Sequence, residues 1–281
     1  MSASAVGVGR LLSWERFAVG FRTAFAAGIG RWDSSAHFAR YGDNYAEHAW
    51  RSEFWSMVAI SERASAYLRL PWALNYKQVG NLGDGAGGGL GDIQAGLRYE
   101  AVEIGEFQWF PAIALTLGVS FPSGRATDQA QAHADALGTS VTGRGAWAIN
   151  AGVSLEKTKI PWFVRVDLGI GVPLPRDTVS GQTLRFGPQL QTALTVGREV
   201  LPRVVVSVYG RLQWESAILV AGVAIDNSSR ADSGVGAACS WRFDSHWTAQ
   251  LAIDSSLAFD GLGDNQPAQL TSTIGLRYGY F

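Results

Sequence analysis

A single cysteine among 281 residues rules out an intrachain disulfide and a cysteine-built metal cluster. Long apolar runs are also missing. No stretch approaches the ~18 uninterrupted apolar residues of a membrane-crossing helix, although hydrophobic residues make up 47% of the chain. Charge is scarce, at 17% against the ~25% usual in soluble domains. The 23 basic and 24 acidic residues nearly cancel, so there is no basic surplus for a nucleic-acid partner. The opening Met1–Arg10 segment has no basic stretch leading into an apolar one, so no secretory leader is read there. A mature form with its leader removed is the expectation.

What the chain does have is 34 glycines, 11 tryptophans and an alternation of apolar and polar residues with period two. Successive side chains of a strand point to opposite faces, so sustained alternation predicts half-buried strands. Over 107–121, Trp109, Ile113, Leu115, Leu117, Val119 and Phe121 share one face, and Gln108, Ala112, Ala114, Thr116, Gly118 and Ser120 the other. Over 162–174, Trp162, Val164, Val166, Leu168, Ile170 and Val172 oppose Arg165, Asp167, Gly169 and Gly171. The same reading predicts strands at 16–32, 50–60, 64–77, 91–102, 107–121, 143–156, 162–174, 184–198, 204–216, 233–243, 247–257 and 269–281. The second is the least clear, because Phe54 and Trp55 compete for one apolar face.

Connections alternate between short turns and long loops, the pattern of an outer-membrane barrel with short periplasmic turns and longer outer loops. The expectation is an all-β fold, a closed antiparallel transmembrane β-barrel of about twelve strands with both termini periplasmic. Residues 1–15 would be an N-terminal periplasmic segment and 16–281 the barrel. Aromatic residues gather near strand ends on the apolar face: Trp109, Trp162, Trp241, Trp247, Tyr278 and Tyr280 by the short turns, Trp32, Trp72, Trp147 and Trp214 by the long loops. Two such girdles are the expected anchors at the membrane interfaces. The closing Thr273–Tyr280 segment, with Phe281 one residue beyond it, is similar to the C-terminal assembly signal of outer-membrane proteins. Barrel-assembly machinery is therefore an expected partner, beside outer-membrane lipid and lipopolysaccharide.

Several motifs then stand in order: Tyr67-Leu68-Arg69-Leu70-Pro71, Gly87-Gly88-Gly89-Leu90-Gly91-Asp92, Phe121-Pro122-Ser123-Gly124 and Thr142-Gly143-Arg144-Gly145-Ala146-Trp147. Together they resemble the family of outer-membrane transporters of the phenol-degradation (MetA) pathway. The resemblance implies a barrel associated with uptake of hydrophobic or aromatic compounds, and brings no binding residues with it.

Charges facing lipid near the bilayer midplane cost about 2–4 kcal/mol for Arg or Lys, so the charged face should point inward. The candidate lumen-lining set is Arg22, Arg69, Arg98, Arg165, Arg211, Arg277, Asp92, Glu100, Asp167, Glu215 and Asp254, with Arg144, Arg185, Arg242 and Glu156 on the same face. Closure of strand 1 on strand 12 would bring Arg22 and Arg277 near one another. A cationic ring could select anions, or arginines and acids could pair into a structural network. The apolar run Ile218, Leu219, Val220, Val223 and Ile225 is a candidate constriction of the mouth. Pro71, Pro111, Pro173 and Pro188 each remove a ladder donor, which implies a bulge, a strand end, or a lateral exit for cargo.

His37, His48, His133 and His246 are read as loop or turn residues, and no catalytic residue, cofactor or metal site is expected. The functional expectation is a passive outer-membrane channel, porin-like, for small solutes, hydrophobic or aromatic ones included, through a narrow Arg-rich lumen. The alternative is a plugged, non-conducting barrel that binds through its outer loops.

Overall fold

A computed structural model of the chain describes residues 11, 15–80, 83–106, 109–132 and 135–281. Twelve strands form the wall: β1 (Phe17–Trp32), β2 (Tyr45–Ala59), β3 (Ala64–Val79), β4 (Ile93–Val102), β5 (Ala112–Phe121), β6 (Ala148–Lys159), β7 (Trp162–Pro173), β8 (Gln189–Leu201), β9 (Val204–Glu215), β10 (Arg230–Arg242), β11 (Trp247–Ser256) and β12 (Pro267–Tyr280). Each pairs antiparallel with the next, and β12 returns to β1 from Phe17↔Tyr280 to Arg31↔Pro267. The sheet is closed and no barrel strand is left as an edge. Both ends of the ring lie on the side of the short turns. Most of residues 1–15 fall outside the described residues.

The alternation sorts the two faces as the period requires. The outside is hydrocarbon: Leu117, Val208 and Ile274 are each more than half exposed. The inside holds small residues, charges and a few aromatics laid over glycines. The Trp55 indole covers Gly20, where an added Cβ would come within 2.4 Å of the ring. Tyr67 covers Gly96 and Gly118 in the same way, and Tyr209 covers Gly236. An aromatic over a glycine on the neighbouring strand fills the inner wall where the glycine has no side chain to pack.

Several strand boundaries differ from the sequence expectation, for visible reasons. β2 begins at Tyr45 rather than 50, so His48 belongs to a strand. Its ring stacks between Phe25 and Tyr76, with centroids 5.7 and 6.0 Å away. The competition between Phe54 and Trp55 resolves because Gly20 leaves room inside for Trp55, which is buried, while Phe54 turns outward. β5 begins after Pro111, leaving Trp109 and Phe110 in the short connection. Phe107, Gln108 and His133 lie outside the described residues. β6 begins at Ala148 rather than 143, and β8 at Gln189 rather than 184.

The prolines occupy a bulge or a strand end. Pro111 precedes β5, Pro173 ends β7 and Pro188 precedes β8. Pro71 faces a bulge at Gly91 and Asp92. Pairing steps from Arg69↔Gln94 to Trp72↔Leu90, so three steps along β3 match four along its partner. The Pro71 carbonyl still accepts the Gly91 N–H at 2.8 Å. Beyond the bulge, Asp84–Leu90 continues the β4 line along β3. The wall therefore stays continuous beside Pro71, and a lateral exit at Pro71 or Pro188 is not what the chain builds.

Seating of Tyr67 over Gly96 makes a direct prediction. Gly96→Val should cost about 1–3 kcal/mol by overpacking, read as a lower urea midpoint for the refolded barrel in vesicles. An unchanged midpoint would mean that this contact does not hold the wall.

Candidate functional site

Charges inside the barrel come mostly as pairs. Arg22 on β1 bonds Glu53 on β2 at 3.0 Å. Arg98 and Glu100 pair along β4 at 2.8 Å, and Arg165 and Asp167 along β7 at 2.8 Å. On the far side Arg211 of β9 engages Asp232 and Asp254, from β10 and β11. Arg277 of β12 takes Glu15, whose side chain is almost wholly enclosed. Higher in the barrel Lys77 meets Glu47 at 3.5 Å. A guanidinium can bond a carboxylate through two donors at once; Arg22–Glu53 and Arg211 with its two acids join neighbouring strands, while Arg98–Glu100 and Arg165–Asp167 balance charge within one.

The long-loop end is crossed by the segment 122–147. Its anchor is Asp92, carried by the bulge opposite Pro71 and 3% exposed. One Asp92 oxygen accepts the Gly124 N–H at 2.9 Å and the other the Arg144 N–H at 2.7 Å. An added Cβ on Gly143 would fall 2.4 Å from the Asp92 carboxylate, so no larger residue fits there. Ser123 donates to the Gly91 carbonyl at 2.7 Å and Thr142 to that of Leu90 at 2.6 Å. The glycine-rich, Phe-Pro-Ser-Gly and Thr-Gly-Arg-Gly motifs are thus three parts of one joint.

From that joint the segment reaches both sides of the barrel. On β3, Asn75 donates to the Thr139 and Val141 carbonyls at 2.9 and 3.0 Å. Arg144 forms a two-point ion pair with Glu215 of β9, at 2.8 and 2.7 Å, and lies against Gln189 of β8. In a twelve-strand ring β3 and β9 stand six strands apart, on opposite walls. The backbone of residues 139–144 therefore runs along the β3–β4 wall, and the Arg144 side chain carries this strap across the lumen to β9. The short helix α1 (Thr127–Ala132) sits beside it. There Asp128 takes Arg176 and the Val179 N–H, while the Phe186 ring lies 5.3 Å from the Arg144 guanidinium and 5.8 Å from that of Arg176.

Two loop acids are strongly perturbed. The Arg176 hydrogen bond leads in holding the Asp128 carboxyl down at about 2, against the burial that pushes it up. Burial raises the Asp135 carboxyl, but bonds from the Ser140 hydroxyl and N–H and from Thr139 outweigh it and leave it at about 2.

Most of the candidate lumen residues lie on the inner face, but three placements are corrected. Arg144 belongs to the strap. Arg185 lies in a small loop sheet made of Arg176–Asp177, Thr183–Arg185, Leu219–Val220 and Val223–Ala224. Arg242 is exposed at the end of β10. Arg22 and Arg277 sit on adjacent strands yet turn to different acids, Glu53 and Glu15. The apolar run Ile218, Leu219, Val220, Val223 and Ile225 forms a hairpin paired edge to edge with 183–185, with Val223 70% exposed. The strap, not this hairpin, crosses the mouth. Trp32 is fully buried and donates to the Phe259 carbonyl at 2.8 Å. It shares the parity of Arg22, a signal that was present in the sequence.

The other girdle candidates Trp72, Trp147, Trp162, Trp214, Trp241 and Tyr280 are about half exposed. Trp109 stands out at 88% on its turn, and Trp247 packs on Tyr278 with ring centroids 4.9 Å apart. Sequence reasoning missed Arg51, Glu53, Asp232 and Glu15. The first two were hidden by the ambiguous face of β2, and Glu15 by its position before the alternation begins.

No family model matches the sequence, and no curated protein matches it significantly. The resemblance to the phenol-degradation transporters therefore rests on the quoted motifs alone. Solved structures do match in shape. An outer membrane channel from Pseudomonas putida F1 superimposes with a TM-score of 0.78 at 11% identity, over 100% of both chains. The NanC porin gives 0.52 at 10% identity, covering 92% of this chain and 98% of its own. The translocator domain of the autotransporter NalP from Neisseria meningitidis gives 0.51 at 8%, covering 94% and 88%. At such identities the likeness is one of fold.

The joint makes two predictions. Asp92→Ala leaves the buried Gly124 N–H without an acceptor, at about 1–3 kcal/mol, removes the acceptor of the half-buried Arg144 N–H as well, and should free the strap. Protease cleavage within 122–147 should then rise sharply while the folded barrel keeps its anomalous gel mobility. The perturbed loop acids set a pH window. A carboxyl depressed below its ordinary 3.8 stabilises the folded form above that value, and the effect fades as pH falls toward about 2. Pepsin should therefore spare the loop at pH 3.5 and cut it at pH 2. Equal cutting at both would show that these acids do not hold it.

Proposed function

We propose that the chain is a passive outer-membrane channel for small solutes, with its short turns and both termini toward the periplasm and the strap toward the outside. The observation that carries this reading is the inversion of the molecule, with hydrocarbon on the outer face of a closed sheet and the charges within. A soluble barrel of this kind would expose dozens of apolar side chains to water. In a bilayer the same surface is satisfied and the closed ladder meets every backbone group. The fold shared with an outer membrane channel supports the reading.

Twelve strands enclose more space than the roughly eight whose interiors are filled by side chains. Paired charges and the strap narrow that space, and beside them the inner wall carries an apolar cluster of Ala18, Trp55 and Met57 with Leu11 and Tyr67 packed on it. Small polar or charged solutes suit such a lumen, aromatic acids among them, better than neutral hydrocarbons. In this reading β12 presents the strand that barrel-assembly machinery takes up during insertion. The strap, tied to opposite walls, favours a second reading in which the barrel is plugged and works through its outer loops.

Conductance separates the two. Refolded protein in a planar bilayer should give small, discrete current steps, and Glu215→Ala, which releases Arg144, should enlarge them. Silence from protein shown to be folded, before and after release of the strap, would sink the channel reading and leave the plugged barrel.

A further inference from the structure

The lumen pairs leave a remainder. Among the described residues, neither Arg51 nor Arg69 donates a hydrogen bond to the protein or lies within ion-pair distance of a carboxylate, and the Arg69 Nε is buried without a partner. Arg69 has only the face of the Tyr67 ring, 5.7 Å away. Both arginines point to the interior from adjacent strands. Arg51 is two residues from Glu53 on β2, and Arg69 is two residues from Pro71, the register partner of Glu53 on β3. Glu53 itself is taken by Arg22. The inner wall of β1–β3 therefore carries four cations, Arg22, Arg51, Arg69 and Lys77, against two acids, Glu47 and Glu53, an excess of two positive charges.

The other side of the barrel is charged in the opposite sense. There one cation, Arg211, faces two acids, Asp232 and Asp254. β9, which carries Arg211, is six strands from β3 around the ring, and the two acids stand on β10 and β11, five and four strands from it. A field runs across the lumen and draws an anion toward β1–β3. Low-dielectric walls focus such a field. Guanidiniums are weakly hydrated and shaped to bond carboxylates through two donors, and a cation held in a confined site without a counter-charge is costly.

We infer that Arg51 and Arg69 form a subsite on the β1–β3 wall for the carboxylate of a small anionic solute. The assignment deepens the channel reading and rests on it. The acid-paired arginines elsewhere in the barrel are braces, while these two are the contacts that a passing anion exchanges with.

The test uses potassium acetate across a planar bilayer and bromoacetate in crystals. In the bilayer the acetate-to-potassium permeability ratio, from the reversal potential, should fall on the order of tenfold in the Arg51→Gln, Arg69→Gln double variant, the lower end of what focused charge does to local counter-ion concentration. Arg63→Gln, on an exposed short turn, should leave it unchanged. An unchanged ratio in a conducting double variant overturns the subsite and spares the channel. In crystals soaked in bromoacetate, anomalous bromine density beside Arg51 and Arg69 is expected. Its absence there overturns the subsite whatever the conductance. Density in a protein that passes no current keeps the anion site and overturns the channel reading instead.

Discussion

A sheet whose outer face is hydrocarbon cannot leave an edge in a bilayer, because no water is there to satisfy an unpaired N–H or carbonyl. Closure of β1 on β12 meets that constraint, and much else follows from it. Once the ring is shut, the inward residues of all twelve strands face one another across a confined space. They cannot all be large, so glycines line much of it and Trp55, Tyr67 and Tyr209 lie over them. Nor can they be charged at random, because a charge in such a space needs a partner. Arg22 with Glu53, Arg165 with Asp167 and Arg277 with Glu15 are the response.

A second device works at the mouth. One extra residue just before β4, opposite a proline that could not have donated to the ladder anyway, turns Asp92 into the barrel. A bulge commonly re-aims a side chain in this way. Here the re-aimed carboxylate gathers backbone N–H groups from Gly124 and Arg144, twenty residues apart in the chain. The loop between them then has both its ends tied to the wall, which lets Arg144 reach across to Glu215. A defect in the ladder thus becomes the foundation of the only segment among those described that bridges opposite walls.

Much of this was readable in the residues. The number of strands, the faces of β5 and β7 and the short turns follow from alternation and from turn chemistry, both local. The lumen arginines followed from parity. The same parity, applied to Trp32, would have sent it inward, yet its aromatic character suggested an interface. β2 was ambiguous because two bulky residues are adjacent and only the glycine across from Trp55 decides which of them goes inside. Arg51 was lost with it. The strap was not readable. Its sequence shows motifs in order, but the contact between Asp92 and residues more than thirty positions away depends on how the loop folds back.

The sequence by itself determined which side of most strands faces hydrocarbon and where the short turns lie, because a strand's side-chain period is two and turns are made by neighbouring residues. Only the tertiary structure decided which acid each lumen arginine takes, which loop crosses the mouth and that Arg51 and Arg69, among the described lumen residues, are left over. Those outcomes depend on the register between strands and on closure of the ring, which bring together residues that no local pattern relates.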